Sequence, residues 1–123
     1  MINFDSLSDD ELNEEIAARK GVNPFYHRPL PPEIGRFAGL FVRQWVRRDY
    51  LHDGAATWEA LTEMLTLPCM SFRPTGGEIA LTWFYDYPAR TTGYMGAADA
   101  NPARTVWIAW LMWKEQQAWQ RLR

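Results

Sequence analysis

The residues best suited to chemistry lie between Asp86 and Arg104. Arg90 and Arg104 could hold a phosphate, because a guanidinium donates paired hydrogen bonds to an anion. A helix that begins after Asn101 would add free N–H groups and a partial positive charge. We therefore predict a pocket for a phosphorylated ligand whose base stacks on a tyrosine, although an ordinary hairpin turn would use similar residues. The predicted ligand-binding residues are Asp86, Tyr87, Arg90, Thr91, Thr92, Tyr94, Asn101 and Arg104.

A second group of cations forms another candidate surface. Arg36, Arg43 and Arg47 fall on one side of a helix that the aromatic spacing predicts over residues 33–48. Such a face could bind an anion or an acidic protein. A solvated helix face accounts for the same spacing, and both interpretations stay open.

Signatures of catalysis are absent from the sequence. It has no phosphate-binding loop, dinucleotide fingerprint or nucleophile elbow. His52 beside Asp49 and Asp53 could bind a divalent ion, but a helix-capping loop explains these residues more simply. Asp86 and Asp99 could form a carboxylate pair for hydrolysis. We nevertheless expect no catalytic residue, no metal, no cofactor and no enzymatic activity.

The composition predicts one domain over residues 1–123. The chain is 47% hydrophobic and 23% charged, which suits a single core. Seven Trp exceed what a core of this size readily hides, and this favours an exposed interface and a homo-oligomer, most simply a dimer. The net charge of −2 gives no overall attraction to nucleic acid or membrane, so neither DNA nor a membrane is expected as a partner.

Three features predict a cytoplasmic protein. The acidic N-terminal segment lacks the order of a signal peptide. The longest apolar run, 106–113, is far shorter than the roughly 20 residues of a membrane span. The lone Cys69 lies in an apolar strand-like run, and a buried, inert thiol is expected there.

Capping signals locate the predicted helices. Ser8 and Glu11 form a capping box for a helix over 9–20, which Gly21 ends. Asp53 caps a helix over 55–66, and Asn101 with Pro102 begins one that runs to about residue 121. The helix over 55–66 should bury Trp58, Leu61 and Leu65, with Met64 beside them, and the last helix should bury Trp107, Trp110 and Leu111.

Strands are predicted over 67–72 and 78–87, joined by a turn at 73–77, and a short third strand over 91–95. The strand over 78–87 is apolar on both faces, which is typical of the middle layer of a sandwich. We therefore expect an α/β (α+β) fold: a three-layer α-β-α sandwich with a small antiparallel sheet and at least four helices.

Three segments resemble the phage ABA-sandwich family, which includes the NinX-like proteins of tailed phages. They are LSDDELNEEIAARKG, DYLHDGAATWEALTEML with its Ala-x-x-Trp pattern, and ANPARTVWIAWLMWKEQQ with its Asn-Pro start. Together they cover about half of the chain, and their order carries the resemblance. The stretch 23–48 departs from the family pattern. The resemblance implies a phage origin, an α-β-α layering and an accessory role in the infected bacterial host.

Three functions compete at this point. The first is a counter-defence sponge that binds and sequesters a nucleotide-type signalling ligand of host immunity. The second is an inhibitor that binds a host defence enzyme through Trp-rich or Arg-rich helix faces. A hydrolase of the signal ranks last, because no activated nucleophile is visible.

Overall fold

The computed structural model describes residues 3–29, 43–86 and 92–121. They form a mixed α+β structure with two antiparallel sheets and two short 3-10 helices, Phe4–Ser6 and Tyr50–His52. The α-helices are α1 (Asp9–Lys20), α2 (Gly54–Met64) and α3 (Pro102–Arg121). The strands are β1 (Phe25–Pro29), β2 (Arg43–Arg47), β3 (Ser71–Thr75), β4 (Glu78–Asp86) and β5 (Thr92–Asp99). The described residues thus hold three α-helices, against the four or more predicted.

Local capping confirms α1 as predicted. The Ser8 hydroxyl accepts from the Glu11 N–H at 3.2 Å, and the Glu11 carboxylate accepts from the Ser8 N–H at 3.0 Å. Gly21 closes the helix in the left-handed conformation, with φ of 71°. The pKa of the exposed Glu11 is lowered by hydrogen bonds to its carboxylate from the Ser8 N–H and the Ser8 side chain, because such bonds favour the ionised form.

Helix α3 lies at the centre of the fold and is buried on nearly all sides. Thr105 and Gln116 share one face, where the Thr105 hydroxyl donates to the Ile79 carbonyl of β4 at 2.9 Å. Trp107 and Trp110 lie on the opposite face, where they contact α2 and the 3-10 helix at Tyr50. The predicted burial of Trp107, Trp110 and Leu111 is confirmed.

The order of layers among the described residues differs from the prediction. The three-stranded sheet packs on one side of α3, and α1 and α2 pack on the other. Leu81 and Trp83 of β4 are buried, whereas Ala80 and Thr82 on the other face are half-buried. The helix and not the sheet is the middle layer of the described fold, because α3 is the element whose surface is apolar all round.

Helix α2 buries a face that only partly matches the predicted one: Met64 is buried and Leu61 packs against the core, but Trp58 and Leu65 do not. Trp58 and Leu65 are 66% and 59% exposed, while Ala60 and Met64 pack against the core. Both stripes are apolar, so periodicity alone did not decide between them. Ala60 and Met64 lie in the hydrophobic core, and the expectation of a buried Trp58 is wrong.

The predicted helix over 33–48 is wrong for its last third. Residues 43–47 form β2 and pair with β1, with His27 opposite Trp45 and Phe25 opposite Arg47. An adjacent antiparallel partner satisfies the backbone of this Trp-Val segment, and such pairing overrides a weak helical periodicity. Residues 33–42 lie outside the described residues.

Sheet β3-β4-β5 is a meander whose first hairpin has a two-residue turn. Gly76 and Gly77 have φ of 55° and 88°, as a turn with two positive φ angles requires. Strand β3 is Ser71–Thr75, with Pro74 on an edge strand. The predicted strand over 67–72 is therefore wrong for 67–70, and the turn predicted over 73–77 is confined to 76–77. Cys69 lies before β3, exposed and with φ of 53°, so the predicted buried thiol is wrong.

Strand β5 is longer than the predicted 91–95 and runs to Asp99. A Cβ added to Gly96 would lie 2.7 Å from the Thr82 methyl and 2.8 Å from the Leu81 carbonyl. The small residues over 96–100 predict a flexible linker, and this prediction is wrong for 96–99, where they instead allow close strand pairing within β5. Across the described ranges, no helix combines the length and the apolar character of a membrane span.

Candidate functional site

Arg104 belongs to the predicted ligand pocket, but its guanidinium is bound by groups of the protein itself. Its Nε donates to Asp99 at 3.1 Å, and one terminal nitrogen donates to Asp9 at 2.7 Å. The other donates to the Leu7 carbonyl at 2.6 Å and to the Asp5 carbonyl at 3.3 Å. The side chain is only 15% exposed. Arg104 therefore ties the N-terminal segment to the start of α3.

The start of α3 is also occupied by the protein's own groups. The Asn101 side chain accepts from the Ala103 N–H at 3.0 Å, which confirms the predicted cap. Asp99 accepts from the Asn101 N–H at 2.9 Å and pairs with Arg104. A carboxylate thus lies where the sequence predicted an external anion, so this helix end is not the phosphate site that we expected.

Three other predicted pocket residues, Asp86, Thr92 and Tyr94, lie toward the far end of the sheet. Asp86 pairs with Thr92, while Asp99 pairs with Ile79, seven residues away along β4. At about 3.4 Å per residue, roughly 24 Å of strand separates the two ends. Arg104 and Asn101 therefore cannot share one small ligand with Asp86, Thr92 and Tyr94. The same separation removes the Asp86–Asp99 carboxylate pair, because glycoside-type hydrolysis needs carboxyl groups about 5–9.5 Å apart.

Several predicted site residues lie outside the described residues, and others have only their backbone described. Tyr87, Arg90, Thr91 and Arg36 are outside the described residues. Asp86, Thr92, Tyr94 and Arg43 are described by their backbone in paired strands. Arg47 is placed fully: it binds Glu14 and lies 3.8 Å from Asp10, so this arginine anchors β2 to α1.

The loop around His52 is a capping structure. His52 Nδ1 lies 2.7 Å from an Asp49 carboxylate oxygen, and the Asp53 carboxylate accepts from the Ala56 N–H at 3.1 Å. Asp53 is therefore turned toward its own helix. No cluster of three or more metal-binding side chains occurs in residues 3–29, 43–86 and 92–121.

A cleft between the C-terminal end of α1 and the second half of α3 was missed by the sequence analysis. Its volume is about 530 Å³, within the usual range of small-ligand pockets. Its lining combines three cations with one carboxylate, one indole and two small or amide side chains. These residues are Arg19, Lys20, Glu63, Trp110, Lys114, Gln117 and Ala118.

The cations of this cleft, the α1–α3 cleft, are arranged around aromatic rings. The Lys20 ammonium lies 5.9, 5.6 and 5.4 Å from the ring centres of Tyr50, Trp107 and Trp110. Lys114 lies 5.4 Å from the Trp110 ring centre. Neither Arg19 nor Lys20 has a carboxylate within 4 Å among the described side chains. The cleft is therefore a positively charged concavity.

The one carboxylate of the cleft, Glu63, already has two donors. It accepts from Trp110 Nε1 at 2.9 Å and from the Lys114 ammonium at 3.1 Å. Burial alone would raise the pKa of Glu63, but these hydrogen bonds and the charges of Lys114 and Lys20 outweigh it and lower the pKa. Glu63 therefore stays ionised and holds Lys114 in place.

The sequence signal for this cleft was present but had an ordinary explanation. Arg19 and Lys20 end α1, where cations stabilise any helix through its dipole. Lys114 lies nearly a hundred residues further along the chain. Only the packing of α1 against α3 places these charges on one concavity.

Comparisons of the chain with protein-family models, with curated proteins and with solved structures gave no match.

Proposed function

We propose that the protein is a non-enzymatic binding protein that sequesters a small phosphorylated, nucleotide-type ligand, which it holds in the α1–α3 cleft. The observation that carries this proposal is the convergence of Arg19, Lys20 and Lys114 on one concavity with a single carboxylate. Guanidinium and ammonium groups are the usual protein partners of phosphate oxygens.

The electrostatics of the cleft favour an anion over a cation or a neutral ligand. Glu63 is bound to Lys114 and Trp110, which leaves Arg19 and Lys20 as cations for a ligand. Gln117 adds an amide that can donate to or accept from a sugar or base. Trp110 is only 3% exposed, so it offers the ligand no open stacking face.

The same groups support binding without catalysis. A general acid or base works best when its pKa lies near the operating pH. The lowered pKa of Glu63 places this carboxylate further from neutrality than an ordinary glutamate. Glu63 therefore serves to position Lys114.

An affinity measurement with a matched charge control tests the cleft. The wild-type protein is screened by thermal shift against a panel of mono- and dinucleotides, and the best binder is measured by calorimetry. Arg19→Gln should weaken binding about tenfold, because a hydrogen bond to a charged group contributes about 1.5–3 kcal/mol. Arg73→Gln removes the same charge from exposed β3 and should leave binding unchanged.

Heat denaturation of the loaded protein, followed by mass spectrometry, separates the competing functions. Intact ligand released after denaturation supports sequestration, whereas altered ligand would assign an enzyme. Equal weakening by Arg19→Gln and Arg73→Gln would show only a general charge effect and would overturn the cleft. Absence of any nucleotide binding would favour the protein-partner alternative.

The biological setting of the proposal comes from the phage ABA-sandwich resemblance. It is a counter-defence role in the cytoplasm of an infected bacterium, where the ligand would be a signal of host immunity. An α-β-α sandwich like that of the phage family would also require a helical layer over the sheet face of Ala80 and Thr82.

The alternative function, inhibition of a host enzyme, and the proposed homodimer both draw on the exposed face of α2. Trp58 and Leu65 lie two turns apart on this face, at 66% and 59% exposure. Exposed apolar patches are typical of protein interfaces. We expect the wild-type protein to sediment as a dimer at tens of micromolar. Leu65→Glu should return it to the 14.3 kDa monomer, and a wild-type monomer would contradict the proposal.

A further inference from the structure

The β1–β2 ribbon carries aromatic rings that point away from the core. Trp45 is 62% exposed, and the His27 ring centre lies 3.6 Å from the Trp45 ring centre. Tyr26 is 37% exposed, and the Arg48 guanidinium lies 5.3 Å from its ring centre. Cross-strand pairing places Trp45 with His27 on one ribbon face and Tyr26 on the other. Flat rings are therefore available on both faces of the ribbon.

Charge is segregated on this ribbon. Residues 25–29 and 43–48 contain four arginines and one histidine but no carboxylate, although the whole chain has a net charge of −2. Arg28 is exposed, and Arg48 donates its Nε to the Asn23 carbonyl at 2.8 Å while its guanidinium covers Tyr26. Arg47 is paired with Glu14 and Asp10 of α1, so among the described side chains Arg28 and Arg48 supply the positive charge that remains for a ligand. The ribbon is thus a local basic surface on an acidic protein.

The described contacts between the ribbon and the rest of the protein hold its end next to α1 and leave the Trp45 and His27 rings exposed. Arg47 binds Glu14 of α1 and covers Phe25 with its guanidinium at 4.9 Å. The Arg48 N–H donates to the Pro24 carbonyl at 2.8 Å. These contacts fix the end next to α1, so Trp45, His27 and Arg28 lie on a positioned strand pair.

We propose that the β1–β2 ribbon binds single-stranded nucleic acid. Aromatic rings stack on bases of any sequence, and neighbouring arginines bind the phosphates, which is the usual combination on such surfaces. Net charge argued against a nucleic-acid partner, but the local charge of the ribbon decides what this surface attracts. An acidic protein segment would satisfy the arginines while offering the Trp45 and His27 rings no flat partner. This surface is independent of the α1–α3 cleft.

Fluorescence anisotropy of labelled oligothymidylate, with the full chain at low salt, tests the ribbon. Trp45→Ala should weaken binding about tenfold through the lost stacking. Phe72→Ala removes an exposed aromatic ring from β3, outside both the ribbon and the proposed dimer face, and should leave binding unchanged. Arg28→Gln should lower the slope of log affinity against log salt by about one, whereas Arg73→Gln should not. The exposed positions keep all four variants folded, which thermal melts verify.

The proposal is overturned by any of three results. Wild-type protein that does not bind oligothymidylate or its RNA counterpart at low salt is the first. Equal weakening by Trp45→Ala and Phe72→Ala is the second. Polyglutamate that competes as well as oligothymidylate at equal charge is the third, and it would assign the ribbon to an acidic protein partner. Nucleotide affinity of the α1–α3 cleft is measured on the same variants. Normal nucleotide affinity in these variants would show that a failure of the ribbon proposal is separate from the cleft proposal.

Discussion

Replacement of Trp107 by alanine is expected to lower the free energy of unfolding by about 3–5 kcal/mol. The indole is fully buried at the centre of α3 and packs edge-on against Tyr50 and Trp110, with ring centres 5.5 and 5.4 Å away. Its Nε1 donates to the Tyr50 carbonyl at 3.1 Å and to the Thr57 hydroxyl at 3.0 Å. The variant therefore loses packing and leaves two acceptors with one donor fewer. Urea denaturation measures the effect.

Trp58→Ala is the matched control for this core substitution. It makes the same chemical change on α2, but Trp58 is 66% exposed, so the unfolding free energy should change by no more than about 0.5 kcal/mol. These measurements belong at protein concentrations below dimer formation. Comparable losses for the two variants would contradict the placement of α3 as the central layer.

Arg104→Ala is expected to cost about 2–3 kcal/mol of stability, although the sequence analysis placed this arginine in a ligand site. The guanidinium bonds to Asp99, to Asp9 and to two backbone carbonyls of the N-terminal segment. Its removal leaves Asp99, which is 28% exposed, without its cation. It also frees the segment before α1 from the start of α3. Thermal and urea unfolding report the loss.

Two variants decide whether geometry or charge makes Arg104 important. Arg104→Lys keeps the charge, but its ammonium cannot reach all the acceptors that the planar guanidinium binds. It should therefore recover only part of the stability. Arg73→Ala removes an exposed arginine from β3 and should be nearly neutral. An Arg104→Ala protein as stable as the wild type would show that the bonds of this guanidinium contribute little to the free energy of unfolding. A ligand-binding role for Arg104 would then again be possible.

Much of the candidate chemistry was misplaced because the sequence does not show where a strand ends. The run Gly96-Ala97-Ala98-Asp99-Ala100 consists largely of small residues, which predict a flexible linker that brings the post-strand loop to the Asn101 helix start. Gly96 instead permits the close pairing of β5 with β4. This pairing places Asp86 and Thr92 at the end of the sheet opposite to Asp99 and the start of α3.

The sequence by itself determined those features whose cause is local. The Ser8–Glu11 capping box, the Gly21 stop and the Asn101 cap with Pro102 each depend on bonds between residues a few positions apart. The apolar residues on all sides of α3 likewise predicted a helix that is covered all round. These interactions are complete within one element, so no knowledge of the partners was needed.

Only the tertiary structure decided which surfaces meet. Helix α2 has two apolar stripes, and its packing against the core buries Ala60 and Met64 while Trp58 stays exposed. Arg104 could bind an anion from outside or from within, and the approach of Asp9 and Asp99 made it a clamp. The α1–α3 cleft exists because Arg19 and Lys114 are brought together across the chain. Each choice is a competition between partners distant in sequence, and packing in three dimensions settles it.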